Sequence, residues 1–109
     1  MSNVSAGFLA GTPGTDDNDV IIEVEVAQYD TFILQSTQGA MDVFVSLDGT
    51  NYATAPLSLT DMGAVSSDPV IVTAANRTYG FRGKFRKVKV LQNGATAVQN
   101  ATLAYGTMS

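Results

Sequence analysis

The chain carries ten acidic and six basic residues and no histidine, so any polar chemistry must come from carboxylates, lysines, arginines and hydroxyls. Paired carboxylates can perform general acid–base work on a glycosidic bond. Here the candidates fall in a Gly-rich N-terminal stretch, on an exposed strand face or in turns, and nothing marks two of them as a pair. Asp16, Asp17 and Asp19 have the look of loose calcium ligands, but they lack the spacing of a calcium loop and its terminal Glu. Serines are present without a histidine partner, which excludes a Ser-His-Asp triad, the usual general base and the commonest metal ligand. The absence of cysteine removes a disulfide framework, a thiolate metal site and a cysteine nucleophile together. No glycine-rich phosphate loop of the expected form occurs. The expectation is a non-enzymatic protein with no cofactor and no metal, acting by binding.

The distribution of charge is the most informative feature. Asp16, Asp17, Asp19, Glu23, Glu25, Asp30, Asp42, Asp48, Asp61 and Asp68 all precede the basic residues Arg77, Arg82, Lys84, Arg86, Lys87 and Lys89. One reading pairs the two signs across strands inside the domain, with Glu23 and Glu25 against Lys87 and Lys89. The other sends a basic hairpin, with Arg82, Lys84, Arg86 and Lys87 as contact residues, to an acidic surface on an identical or different protein. Such a contact sets register and orientation more than affinity. The run Phe81-Arg82-Gly83-Lys84-Phe85-Arg86-Lys87 also mixes aromatic and basic residues as single-strand binders do. A net charge of -4, a pI near 4.3 and the acidic N-terminal stretch weigh against nucleic acid, so no nucleic-acid partner is expected.

The elements that must hold these residues are strands. At 109 residues the chain builds one core. Hydrophobic residues make up 45% and charged residues only 15%, against about 25% charged in an average domain. A polar but weakly charged surface suits a protein that packs beside others. No apolar run is long enough to span a membrane, and the N-terminus lacks the basic region and apolar core of a signal peptide; no membrane partner and no general export are expected. Residues 1–19 read as an extended arm, flexible or docked on a partner, able to reach roughly 60 Å. Phe8 and Leu9 are its only large apolar residues, and they dock either on their own domain or on a neighbour. The triplets at Asn3, Asn76 and Asn100 match the glycosylation pattern by chance in a chain rich in Asn and Thr.

From Val20 the period becomes two: Val20, Ile22, Val24 and Val26 share a face opposite Ile21, Glu23 and Glu25. Ala27 to Asp30 forms a turn, Thr31 to Thr37 a second strand, and Met41, Val43, Val45 and Leu47 line a third. Asp48-Gly49 is a turn of the kind hairpins favour. Tyr52, Leu57 and Leu59 are core or lip residues of a looser stretch, which Pro56 marks as an edge or loop. A turn-rich loop spans Thr60 to Pro69, and Val70 to Thr73 is a short strand. Tyr79, Phe81, Gly83 and Phe85 share a parity that Val88 and Val90 do not, so a bulge or turn near Gly83 absorbs a slip. Gln92-Asn93-Gly94 closes a hairpin onto a return strand from Ala95 to Ala104. Residues 20–109 are therefore expected to form a small antiparallel β-sandwich, jelly-roll-like in winding.

Two stretches carry a resemblance. Ser46-Leu47-Asp48-Gly49-Thr50-Asn51-Tyr52 and Phe85-Arg86-Lys87-Val88-Lys89-Val90 resemble segments common to galactose-binding-like jelly rolls and to small virion proteins of tailed phages. The aromatic is Tyr52 where those segments have Trp, and Lys87 shifts the basic position. Together they cover about a quarter of the chain, and the pattern mainly encodes a turn and a late core strand. The phage resemblance implies a capsid decoration or cement protein that stiffens the phage head, with the major capsid protein or another virion protein as partner. It implies a homo-oligomer, a trimer in the first instance, located in the virion and assembled in the host cytoplasm. A small tail or baseplate component is the alternative within that class. A carbohydrate-binding module is the alternative outside it, and a clustered pair of exposed tyrosines, drawn from Tyr29, Tyr52 and Tyr79, would distinguish it.

Overall fold

The computed structural model describes residues 6–63, 69–94 and 99–107. Asp68, part of the expected 60–69 loop, the start of the expected return strand at Ala95 and the Asn3 triplet lie outside them. The described chain is all strand and loop: β1 (Ala6–Ala10), β2 (Val20–Glu25), β3 (Thr31–Gln38), β4 (Met41–Ser46), β5 (Thr60–Asp61), β6 (Arg77–Arg82), β7 (Lys87–Gln92) and β8 (Asn100–Gly106). Two antiparallel sheets form, one ordered β1-β8-β3-β6-β5 and the other β2-β7-β4.

The winding is nested. β1 pairs with β8, β2 with β7 and β3 with β6, so the chain folds as a doubled cord whose two halves stay paired while it wraps around a core. That is the jelly roll expected from the sequence. Consecutive strands alternate between sheets except for β5 and β6. One of the two turns read as hairpins is therefore a corner. Gln92-Asn93-Gly94 leaves β7 in one sheet and leads to β8 in the other, whereas Asp48-Gly49 turns the chain back along β4, where Ala53 and Leu57 donate their N–H groups to the carbonyls of Val45 and Val43. The parity slip near Gly83 has the same cause, because residues 83–86 carry the chain from the five-stranded sheet into the three-stranded one.

The core lies between the sheets. Phe32, Leu34, Tyr79, Phe81 and Leu103 face Ile22, Met41, Val43, Val88 and Val90, all of them buried. Phe32 stacks on Phe81 with ring centroids 5.0 Å apart, and Phe85 closes over both at 5.9 and 6.5 Å. Two of the buried polar groups are satisfied locally. The Tyr79 hydroxyl accepts the Ala74 N–H at 2.8 Å, and the Thr73 hydroxyl accepts the Met41 N–H at 3.0 Å.

Two details of the expected pattern differ. Register shifts between Val20 and Ile22, and the extra residue is Ile21. Val20 is half exposed, whereas Ile21 is buried under the chain at Gly11 and Gly14. Leu47, placed in line with the β4 core residues, is 75% exposed, because β4 ends at Ser46.

The segment expected as an arm is joined to the sandwich. Residues 6–10 form β1, the outermost strand of the five-stranded sheet. Beyond it, the Gly11 N–H donates to the Ala101 carbonyl at 2.8 Å, Thr12 N–H to Ile21, and Gly14 and Gln99 exchange two bonds of 2.9 Å. Asp19 accepts the N–H groups of Thr15 and Asp16, and that of Asp16, then Thr15, holds its carboxyl below the usual range. Asp17 accepts the Gly94 N–H at 2.8 Å. These acids fasten a loop.

Candidate interaction surfaces

The two sheets present unlike outer faces. On the three-stranded sheet, Glu23 lies opposite Lys89 and Glu25 opposite Lys87, the cross-strand pairing that the charge order allows. Arg86 Nε meets Glu25 Oε1 at 2.9 Å. The Tyr52 hydroxyl donates to Glu23 at 2.8 Å while Lys89 Nζ sits 4.1 Å above the Tyr52 ring. Burial, and then the Glu23 carboxylate, push the Tyr52 phenol up. Much of the charge segregated along the sequence is thus brought together in space. Both members of the Arg86–Glu25 pair are about half exposed, so Arg86→Ala is expected to cost under about 1 kcal/mol in a denaturant titration, and less in high salt.

At the end of β4 the Asp48 carboxylate accepts the N–H groups of Thr50 and Asn51 at 2.8 Å and the Asn51 side-chain amide at 2.9 Å. Those bonds, the Asn51 N–H foremost and Thr50 next, hold its carboxyl well below the usual range. Because the folded value lies below that of the unfolded chain, the stabilisation is complete above about pH 4 and fades as pH falls through the folded value. Asp48→Asn keeps an acceptor for the backbone but cannot titrate. Its melting temperature is expected to fall less steeply than that of the wild type below about pH 4, as scanning calorimetry would show.

The outer face of the five-stranded sheet is nearly uncharged. Register aligns Phe8, Ala104, Ile33, Gly80 and Thr60 in one row across all five strands. Ala10, Thr102, Gln35 and Thr78 form the next row, and on the other side Gly106, Thr31 and Arg82 form a third. Arg82 is the one charge on these rows. Glycine and alanine keep the surface low, so the large apolar side chains stand out: Phe8 is 74% exposed, Ile33 38% and Met62 57%. Met62 lies over Gly80, where a Cβ would meet its sulfur at 3.2 Å. Beside them opens a cleft of about 450 Å³, lined by Thr31, Ile33, Leu57, Met62, Phe81 and Arg82 among others.

The six residues expected at an interface divide between these surfaces. Phe8 projects from the uncharged face and Leu9, on the opposite side of β1, is 37% exposed. Arg82 stands at the corner of the uncharged face. Lys84 lies in the crossing loop with its ammonium 3.9 Å from Asp30. Arg86 and Lys87 both adjoin Glu25. The tyrosines do not form an exposed cluster: Tyr79 is buried, Tyr52 lies beneath Lys89, and Tyr29 tilts at 51° against Tyr105, both half-buried. Ile33, Met62 and Tyr105 were not singled out by sequence. The signal for the first was available, since β3 and β8 carry no charge at all while alternate positions of β2 and β7 do.

No protein-family model matches the chain, and no curated protein matches its sequence. Among solved structures, one chain from Bacillus endospore appendages, described as a novel family of disulfide-linked pili, aligns over 94% of this chain and 86% of its own at 14% identity, with a TM-score of 0.45. The crystal structure of the SPBc2 prophage-derived protein YomS aligns over 97% of this chain and 96% of its own at 11% identity, with a TM-score of 0.77. At that identity the likeness is one of fold, and this chain has a fold similar to that of YomS over nearly the whole length of both.

Proposed function

We propose that the protein is a non-enzymatic structural component of a phage particle, of the capsid decoration type, attached to the virion through the outer face of its five-stranded sheet. The observation that carries this reading is the contrast between the faces. One holds charges already engaged with one another, and the other offers Phe8, Ile33 and Met62 on an uncharged ground with Arg82 at its corner. Covering such a face costs little, because few charges lose water. Strands about 4.8 Å apart and about five residues long at 3.4 Å each make five strands a face of roughly 400 Å². That is half of the roughly 800 Å² per partner of a standard interface. A single contact of this size is weak, and a repeating lattice that engages many copies suits it. The prophage origin of YomS, whose fold is similar, supports the phage setting.

The test is the composition of virions produced by the genome that encodes this chain. Peptide mass spectrometry of purified particles is expected to find the protein, and immunogold labelling to place it on heads. Gold confined to tails or baseplates would move the assignment to the tail component. Absence from particles overturns the proposal.

A further inference from the structure

We infer that a second copy of this chain pairs with it edge to edge through β1, joining the two five-stranded sheets across a two-fold axis. β1 has β8 on one side and no described strand on the other. The phase of its backbone follows from two bonds: Gly11 N–H donates to Ala101, and Asp30 N–H donates to Gly106 from the β3 side. Antiparallel partners alternate between bonded and non-bonded pairs. Residues 101, 103 and 105 of β8 therefore serve β1, and Gly7 and Leu9 turn their N–H and C=O groups inward to them. Ala6, Phe8 and Ala10 turn theirs to the open edge.

Sheet edges are ordinarily blunted by charge or proline, and Ala6-Gly7-Phe8-Leu9-Ala10 has neither. The segment is also close to a palindrome about Phe8. In an antiparallel pairing centred there, Phe8 lies opposite Phe8 of the second copy and Ala6 opposite Ala10. Each of the three outward residues then exchanges two backbone bonds with its counterpart. Such a contact is isologous, closing as a dimer rather than growing. The two exposed phenylalanines become cross-strand neighbours on the same face. The outer faces join into one nearly uncharged surface of roughly 800 Å², the area of one side of a standard interface. The inference goes beyond the virion proposal and does not depend on it.

Light scattering and sedimentation of the full chain over a dilution series are expected to show twice the 11.4 kDa chain mass, dissociating on dilution. Phe8→Lys places two ammonium groups at the axis and is expected to give a monomer with an unchanged circular dichroism spectrum. Since the chain has no cysteine, single cysteines report the register. Phe8→Cys brings two Cα atoms to about 5.5 Å, within reach of a disulfide, so mild oxidation is expected to yield a covalent dimer. Ala10→Cys leaves its pair roughly 14 Å apart and is expected to stay uncrosslinked. A wild type that is monomeric at its highest soluble concentration overturns the inference. So does any oligomer that survives Phe8→Lys, or equal cross-linking of the two cysteine variants.

Discussion

Phe32→Ala is expected to destabilise the domain by about 3–5 kcal/mol, read as a lower urea midpoint with an unchanged slope. Phe32 occupies β3, which has β8 on one side and β6 on the other, and it is 1% exposed. Its ring is the central member of the stack with Phe81 and Phe85. Truncation removes that stacking and leaves a void walled by backbone that hydrogen bonds hold on both sides. Neither neighbouring strand can close inward without breaking its ladder, which places the cost at the upper part of the range for large-to-small changes. Against a typical total of about 5–15 kcal/mol, this is a loss of roughly a fifth or more. A cost below about 1 kcal/mol would mean that Phe85 swings in to fill the space.

Gly39→Ala ranks second, at about 2–5 kcal/mol. Gly39 has a φ of +77°, a conformation that costs an L-residue roughly 1–2 kcal/mol. A Cβ there would also fall within the Gln99 side chain, 1.2 Å from Oε1. Gln99 is buried, and its backbone holds Gly14 through two hydrogen bonds, so displacing it loosens the segment between β1 and β2 as well. Overpacking of this kind adds about 1–3 kcal/mol. Gly94→Ala is the control, because Gly94 has a φ of +92° but no described residue lies within 4 Å of its Cβ position. It is expected to show only the backbone cost, roughly 1–2 kcal/mol. Equal effects in thermal denaturation would locate the whole penalty in the backbone and none in the Gln99 contact.

The sandwich was legible because burial imposes a period of two. Phe32 and Leu34, Met41 and Val43, Tyr79 and Phe81, and Val88 and Val90 alternate inward as their spacing requires. The pairing of Glu23 with Lys89 and Glu25 with Lys87 was legible for a similar reason, since opposite charges at matching intervals can share a face. The partner sheet of each strand was not. Turn residues such as Asp48-Gly49 and Asn93-Gly94 encode a reversal of direction, and the same dihedral preferences serve a hairpin or a corner between sheets. β1 was hidden because one of its alternate positions is glycine, and Gly7 lies so close to Tyr105 that a Cβ would meet the ring at 2.9 Å. A strand that needs a glycine against a neighbour's ring loses the apolar alternation that identifies strands. The uncharged face was hidden because it is defined by residues from five strands, and only register brings Phe8, Ile33 and Gly80 into one row.

The nested pairing also governs when the molecule can form. A chain emerging in order from a ribosome presents β1, β2, β3 and β4 before any of the strands they pair with, since β4 and β2 both wait for β7 and β1 waits for β8. Nothing in the first half can close a sheet with itself. The first pairing of consecutive strands is β5 with β6, and it stands at the fold of the doubled cord, where zipping can proceed outward through β3, then β7, then β8. Contacts so distant in sequence make folding slow, on the scale of milliseconds to seconds. During that interval the early strands are exposed together, which is the condition under which chains associate wrongly. The AGFLA segment is made before the other described strands and is among the last to be covered, so of these strands it has the longest wait.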